Sequence, residues 1–293
     1  MTGTEQTSPR FATLEDWPTA DLVAALTESQ FTAIAAVAAA GPDLIRAVEA
    51  AAARLSRGGR LIYLGAGTSG RLAALDAAEL GPTFAWPSER ARAIIAGGAP
   101  ALTAAIEGAE DDSTAAATAL TDLACSGDDV VIGLAASGTT PFTLGGLRAA
   151  RVQGALTIAM VNTPDTPLAE AADIAITLDT GAEAIAGSTR MKAGTAQKVA
   201  LTTFSTAVMV RLGHVYRGRM VEMRPTNAKL QRRAVAMVAD LTDTSPDQAR
   251  AALSSAGGSI KLAIVMLDKG LSPDAAYARL AAAQGNLASA LKP

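Results

Sequence analysis

Short apolar runs rich in β-branched residues alternate with longer alanine-rich stretches of helical periodicity, and few architectures accept that alternation. Strands are expected near Arg60–Leu64, Ala93–Ala96, Asp129–Ala135, Ala155–Val161 and Asp173–Leu178. Helices between them should start near Ser69, Pro100, Ser113, Pro141 and Thr166. The strand runs are too apolar to alternate, which is the pattern of a sheet buried on both faces. The expected fold is therefore α/β: a doubly wound, mostly parallel five-stranded sheet. Ahead of it, Asp21–Ala40 and Asp43–Leu55 read as helices; after it come helical patterns at Lys192–Leu212 and Asn227–Ala239. Three shorter helical patterns follow, Pro246–Ser255, Ser259–Asp268 and Pro273–Ala283. Ser245 and Ser272 each precede a proline, the arrangement of an N-cap ahead of proline at the first helical position. The expected organisation is an N-terminal helical segment (1–58), a central sheet domain (59–240) and a small three-helix domain (241–293).

Composition narrows the function classes. Of 293 residues, 49% are hydrophobic and only 18% charged, enough apolar material for a large core and too little polarity for disorder. With 28 acidic against 25 basic residues there is no cationic excess to neutralise a nucleic acid. A single cysteine, Cys125, and a single histidine, His214, exclude a disulfide framework and a Cys/His metal centre within one chain. The start, Met1–Arg10, is polar, and the hydropathy comes from alanine rather than an unbroken run of large apolar residues. A soluble, cytoplasmic protein with no membrane partner is expected.

Three loops carry the candidate chemistry. Gly65-Ala66-Gly67-Thr68-Ser69-Gly70 follows a strand and opens a helix, matching G-x-G-x-x-G. A dinucleotide reading needs an acid at the end of the next strand, and that strand ends in Ala96-Gly97-Gly98. Thr68 and Ser69 instead place hydroxyls beside helix N-terminal amides, a cradle for a monophosphate. Ala135-Ala136-Ser137-Gly138-Thr139-Thr140-Pro141 repeats the arrangement after the third strand, and Gly187–Thr195 adds Ser188, Thr189 and two cations, Arg190 and Lys192. One such loop is an ordinary helix cap. Three at the carboxyl edge of one sheet converge where doubly wound folds bind ligands, which favours a phosphorylated small molecule.

Two glutamates complete the set. Glu79 is expected to close the helix opened at Ser69, ahead of Gly81-Pro82, where the negative end of the dipole opposes its charge and suits it to hold a proton. Glu110 lies in the acidic turn Glu107–Asp112. Taken by themselves, both also read as ordinary charged surface residues.

With these residues assembled, the chain resembles the N-acetylmuramic acid 6-phosphate etherases of the sugar isomerase (SIS) domain superfamily. The matching stretches are RLIYLGAGTSGRLAALDAAEL, IEGAED, GLAASG, GSTRMKAGTAQK, MVRLGHVY, PTNAKL and the tail AGGSIKLAIVMLDKGLSPDAA. The resemblance implies an SIS-like sheet domain, catalytic roles for Glu79 (acid) and Glu110 (base), and phosphosugar contacts from Thr68, Ser69, Ser137, Thr140 and Ser188. It implies loss of D-lactate from C3 of N-acetylmuramic acid 6-phosphate in cell-wall sugar recycling, with no cofactor and no metal. A homodimer with active sites at the subunit interface is implied as well. A phosphosugar isomerase and a non-catalytic phosphosugar-binding regulator are the competing readings. The chain departs from the family at several points. Thr4–Pro9 lacks the usual asparagine, Thr27-Glu28-Ser29-Gln30 replaces an Asn-x-Glu-Asp stretch, and Thr139 stands in place of arginine. His214 stands in place of a lysine and reads as a solvated surface residue.

Overall fold

The computed structural model describes residues 3–293. In chain order the elements are α1 (Thr19–Ser29), α2 (Phe31–Ala39), α3 (Gly41–Leu55), β1 (Leu61–Gly65), α4 (Gly67–Phe84), β2 (Ala91–Ile95), α5 (Ala115–Asp122), β3 (Val130–Ala135) and α6 (Pro141–Val152). Then follow β4 (Leu156–Val161), α7 (Pro167–Ala171), β5 (Ile174–Thr177), α8 (Lys192–Arg211), α9 (Ala228–Thr242), α10 (Pro246–Ser255), α11 (Ile260–Lys269), α12 (Pro273–Ala282) and α13 (Leu287–Ala290). They form two compact units, one of residues up to 78 and 88–206, the other of residues 79–87 and 207–293.

The first unit holds a five-stranded sheet of order β2-β1-β3-β4-β5, with every pairing parallel. The order reverses direction between β1 and β3, so the crevice at their carboxyl ends is the switch point of the fold. On one face Ile62, Leu64, Val131, Ala159 and Val161 pack with Leu120, Phe142, Leu147 and Leu168 from α5, α6 and α7. On the other, the buried Tyr63 hydroxyl donates to Asp76 of α4 at 2.7 Å, and Ser205 of α8 donates to the same carboxylate at 3.0 Å. Burial first, then the Asp76 charge, holds the Tyr63 phenol well above its usual range.

Three expectations for this unit need correction. β2 is an edge strand, and Arg92 and Ala93 face outward, so it is not buried on both faces. The helix expected at Pro100 is a single 3₁₀ turn, Ala99–Leu102. Gly97, Gly98 and Gly108 hold left-handed backbone on either side of it, which interrupts the helix. The N-terminal pattern Asp21–Ala40 divides at Gln30 into α1 and α2. By length and composition the stretch Thr19–Ala39 would suffice to cross a bilayer, and 28% of its 18-residue apolar part is buried in the fold.

In the second unit α9 shares one apolar core with the helices after it, through Met237, Val238, Leu253, Ile260, Ile264 and Leu287. The serine caps form as expected. Ser245 accepts from Gln248 N–H at 3.2 Å while the Gln248 side chain accepts from Ser245 N–H at 3.0 Å, a reciprocal capping box. His214 is not the solvated residue expected. Its Nδ1 lies 3.1 Å from the Phe84 carbonyl, its ring meets Trp86 edge-on at 5.6 Å, and Glu222 lies 3.7 Å away.

At the amino edge of the sheet, the Asp129 side chain is 2% exposed and meets Arg60. The carboxylate accepts from Arg60 Nε at 3.0 Å, Arg60 N–H at 2.9 Å and Ser126 N–H at 2.8 Å. Burial alone would raise its pKa; the guanidinium and the backbone donors outweigh it, so the carboxyl sits below its usual range. Its stabilising contribution is therefore present above pH ~4 and lost as pH falls below that value. Asp129→Ala should lower unfolding free energy by about 3 kcal/mol at pH 7, and by less near pH 3, in urea titrations. Gly70→Ala should also destabilise, by about 2–3 kcal/mol, because the new Cβ would fall 2.7 Å from the Gly65 carbonyl oxygen and 2.6 Å from Ile95.

Candidate active site

Glycine lets the first loop approach the sheet. Gly65 and Gly70 pack backbone to backbone, and Gly67 turns the chain through φ 52° into α4. The first helical bond runs from Gly70 N–H to the Ala66 carbonyl. That leaves the preceding amides of Gly67, Thr68 and Ser69 without intrahelical partners, at the positive end of the helix dipole. Ser69 is buried at 8% exposure, and Thr68 is half-buried beside it.

In the second loop Ser137 Oγ accepts from both Thr139 N–H (3.3 Å) and Thr139 Oγ1–H (3.0 Å). Gly138 bends the loop with φ 68° against Thr166. Thr140 is the residue before α6, and its hydroxyl makes no cap bond, so it is not consumed by the helix.

The third loop is fastened from inside. Glu183 is fully buried, and its carboxylate accepts from the N–H groups of Lys192 (3.1 Å) and Ala193 (2.9 Å), the first residues of α8. The Lys192 ammonium donates to the carbonyls of Thr180 at 3.0 Å and Ala182 at 2.5 Å. Lys192 is thus a structural cation at 6% exposure; of the two cations expected at the site, only Arg190 is exposed. Ser188 is half-buried in the loop crest, and Gly187 N–H donates to the Thr4 carbonyl at 3.0 Å.

The three loops are joined at their bases. A Cβ on Gly194 would lie 3.2 Å from the Thr189 carbonyl and 3.4 Å from the Thr68 methyl, so the first and third loops are in contact. Ser69 Oγ donates to Gln197 Oε1 at 2.8 Å, and Gln197 Nε2 donates to Asn162 Oδ1 at 3.0 Å. Asn162 then donates to the carbonyls of Leu178 (3.0 Å) and Ala193 (3.4 Å), while its own N–H bonds the Ala136 carbonyl of the second loop. The sequence reading missed Asn162, Gln197 and Glu183. For Gln197 a signal existed: it occupies the buried stripe of α8 with Ala193, Ala200, Leu201 and Phe204, where an amide must find partners.

The two glutamates stand apart from these loops in character. Glu110 is exposed on the 3₁₀ turn Ala109–Asp111 of the first unit. Glu79 is exposed on α4 and belongs to the second unit. The expected helix end at Glu79 is corrected: α4 runs through Gly81 and Pro82 to Phe84. Pro82 removes one donor only, and the helix stops where Ala85 takes φ 50°. Glu79 therefore lies more than a turn from the C-terminus, where the dipole no longer singles it out.

Comparison with known proteins agrees with the fold. The family model for the glucokinase regulatory protein N-terminal SIS domain matches residues 43–151, and that for the SIS domain matches residues 112–207. A phosphoheptose isomerase from Francisella tularensis superposes with a TM-score of 0.50 at 18% identity, over 66% of this chain and all of that one, a likeness of fold. The N-acetylmuramic acid 6-phosphate etherase of Deinococcus radiodurans is 52% identical over 97% of this chain and 93% of its own length. Those of Salmonella typhimurium and Synechocystis are 47% and 44% identical, each over 98% of this chain, covering 97% and 94% of their own lengths. With such identity along almost its entire length, the chain belongs to the N-acetylmuramic acid 6-phosphate etherase family.

Proposed function

We propose that the chain is a carbon–oxygen lyase that cleaves the D-lactyl ether of N-acetylmuramic acid 6-phosphate, giving N-acetylglucosamine 6-phosphate and D-lactate. The observation that carries this reading is the 52% identity to an etherase across 97% of the chain. The hydroxyl-bearing loops at the switch point of the sheet support a sugar phosphate as ligand, with Thr68, Ser69, Ser137, Thr140 and Ser188 as its contacts. A cytoplasmic place in cell-wall sugar recycling goes with that substrate.

The chemistry needs two proton carriers. In the ring-opened sugar the C1 aldehyde acidifies the C2 proton, which Glu110 removes as general base. The resulting enolate expels the lactyl oxygen from C3, and Glu79 protonates that oxygen as it leaves. Water then adds across the unsaturated aldehyde: its hydroxyl goes to C3 and a proton returns to C2. Glu79→Gln should abolish lactate release while C2 hydrogen still exchanges with solvent deuterium, and Glu110→Gln should lose both, by about 10²-fold or more. Near-normal turnover of Glu79→Gln would remove it as the acid. The match to a glucokinase regulatory protein domain favours one second reading, a phosphosugar-binding regulator without catalysis. Absence of D-lactate on incubation with the muramic acid phosphate would decide for it.

Helix geometry supports a shared site in a homodimer. Because α4 is unbroken, a rise of ~1.5 Å per residue puts Glu79 about 15 Å along its axis from Ser69. A hexose phosphate does not bridge that span, so Glu79 serves the pocket built by the partner's loops. Mixing inactive Glu79→Gln chains with inactive chains altered in the phosphate loops should restore activity, with about one intact site per mixed dimer. No recovery after verified subunit exchange would place each site within a single chain.

A further inference from the structure

The last turn of α4 exists against the local preference of its sequence. Glu79-Leu80-Gly81-Pro82-Thr83-Phe84 contains a glycine, which weakens a helix interior, and a proline, which has no N–H. The carbonyl deprived of its helical donor is that of Ala78, next to Glu79. Yet the helix runs on to Phe84, so its end is held by groups outside the ladder. Trp86 N–H donates back to the Leu80 carbonyl at 3.4 Å, and Leu80, Phe84 and Trp86 are all buried. The carbonyl of Phe84, one of those a helix leaves open at its end, meets His214 Nδ1 at 3.1 Å.

His214 is set for this task by its surroundings. The Phe84 carbonyl can only accept, and the Glu222 carboxylate also faces Nδ1, at 3.7 Å, so Nδ1 carries the hydrogen. The end of α8 fixes the backbone of His214. Gly213 turns with φ 81°, and His214 N–H donates to the Met209 carbonyl at 3.0 Å, a Schellman cap. Glu222 is paired in turn with the ammonium of Lys261, a buried residue of α11 that also donates to the Gly285 carbonyl at 2.7 Å. Gly285 leads into α13, and the next residue, Asn286, packs against Gly213. Every member of this network belongs to the second unit, as does Glu79.

We propose that His214 is a positioning residue for Glu79. By donating to the last carbonyl of α4 it holds the turn on which the acid stands, and Glu222 and Lys261 carry that hold into the C-terminal helices. The proposal rests on the etherase reading for the role of Glu79. It gives the helices of the second unit a part in the reaction, that of keeping one of the two proton carriers in place. Glu110 stands on its own 3₁₀ turn in the first unit, so loosening the end of α4 reaches the acid and leaves the base as it was. Proton abstraction at C2 then continues, while the lactyl oxygen leaves without a well-placed proton.

The test follows two events on N-acetylmuramic acid 6-phosphate in deuterated water, exchange at C2 and release of D-lactate. His214→Phe keeps a flat ring against Trp86 and removes the donor. It should lower lactate release by about tenfold or more, the cost of a misplaced catalytic group, and leave C2 exchange within about twofold. His214→Asn, whose amide N–H falls near the position of Nδ1, should recover most of the lost release. In the same intact proteins, amide hydrogen exchange of residues 79–87 should quicken in His214→Phe and return toward the wild-type rate in His214→Asn. Equal loss of C2 exchange and lactate release in His214→Phe overturns the proposal, because general damage to the fold would do the same. Unchanged lactate release, or unchanged amide exchange at residues 79–87, overturns it too. Where His214→Phe does not fold, His214→Gln, whose amide reaches the position of Nε2 instead, takes its place with the same expected outcomes. The etherase reading fails separately: a wild-type protein that releases no D-lactate removes the role of Glu79, whereas amide exchange still decides whether His214 holds the end of α4.

Discussion

A buried chain of amides holds the carboxyl edge of the sheet together. Ser69 on the first loop, Gln197 on α8 and Asn162 at the end of β4 bond in series, and the Asn162 backbone reaches the second loop. Such a chain costs several kcal/mol in desolvation if any member is left unpaired, so its members are over-determined. Three loops from three distant parts of the sequence thereby share one geometry. The apolar faces of the strands bring these loops to the same edge, and the amide chain fixes how the Ser69 hydroxyl points.

Close backbone approach is the second requirement. Gly65 against Gly70 seats α4 on β1, and Gly138 lets the second loop fold back on Thr166. In each place a Cβ would fall inside 3.0 Å of its neighbour. The G-x-G-x-x-G spacing in this chain thus serves packing and an exposed row of amides. It carries no acid at the end of β2 to hold a ribose.

Much of this was legible beforehand, for identifiable reasons. Parallel strands buried on both faces announce themselves as apolar runs, and β1, β3 and β4 fall within a residue or two of their expected bounds. Proline-led helices such as α6, α10 and α12 carry their start signals in adjacent residues. What resisted reading was non-local. The continuation of α4 past Gly81-Pro82 depends on what packs around it. The burial of Lys192 depends on carbonyls of Thr180 and Ala182 that no spacing rule points to. Glu183 sits in an unremarkable Gly-Ala-Glu-Ala stretch, and only the fold shows its carboxylate meeting the start of α8. Thr68, Ser69, Ser137 and Ser188 were legible as candidates because the loops themselves are local; the bond that ties Ser69 to Gln197, 128 residues away, was not.

The anchoring of the third loop by Glu183 and Lys192 has a consequence for how such a site can diversify. Both anchors lie beneath the surface, and neither spends its bonding capacity on the loop crest at Ser188, Thr189 and Arg190. The crest is therefore held by its base rather than by its own side chains. Exchanging those three residues alters the side chains that the loop presents while the frame keeps its shape. A loop built this way can be retuned to a different substituent by point changes at its tip, without a compensating change in the core.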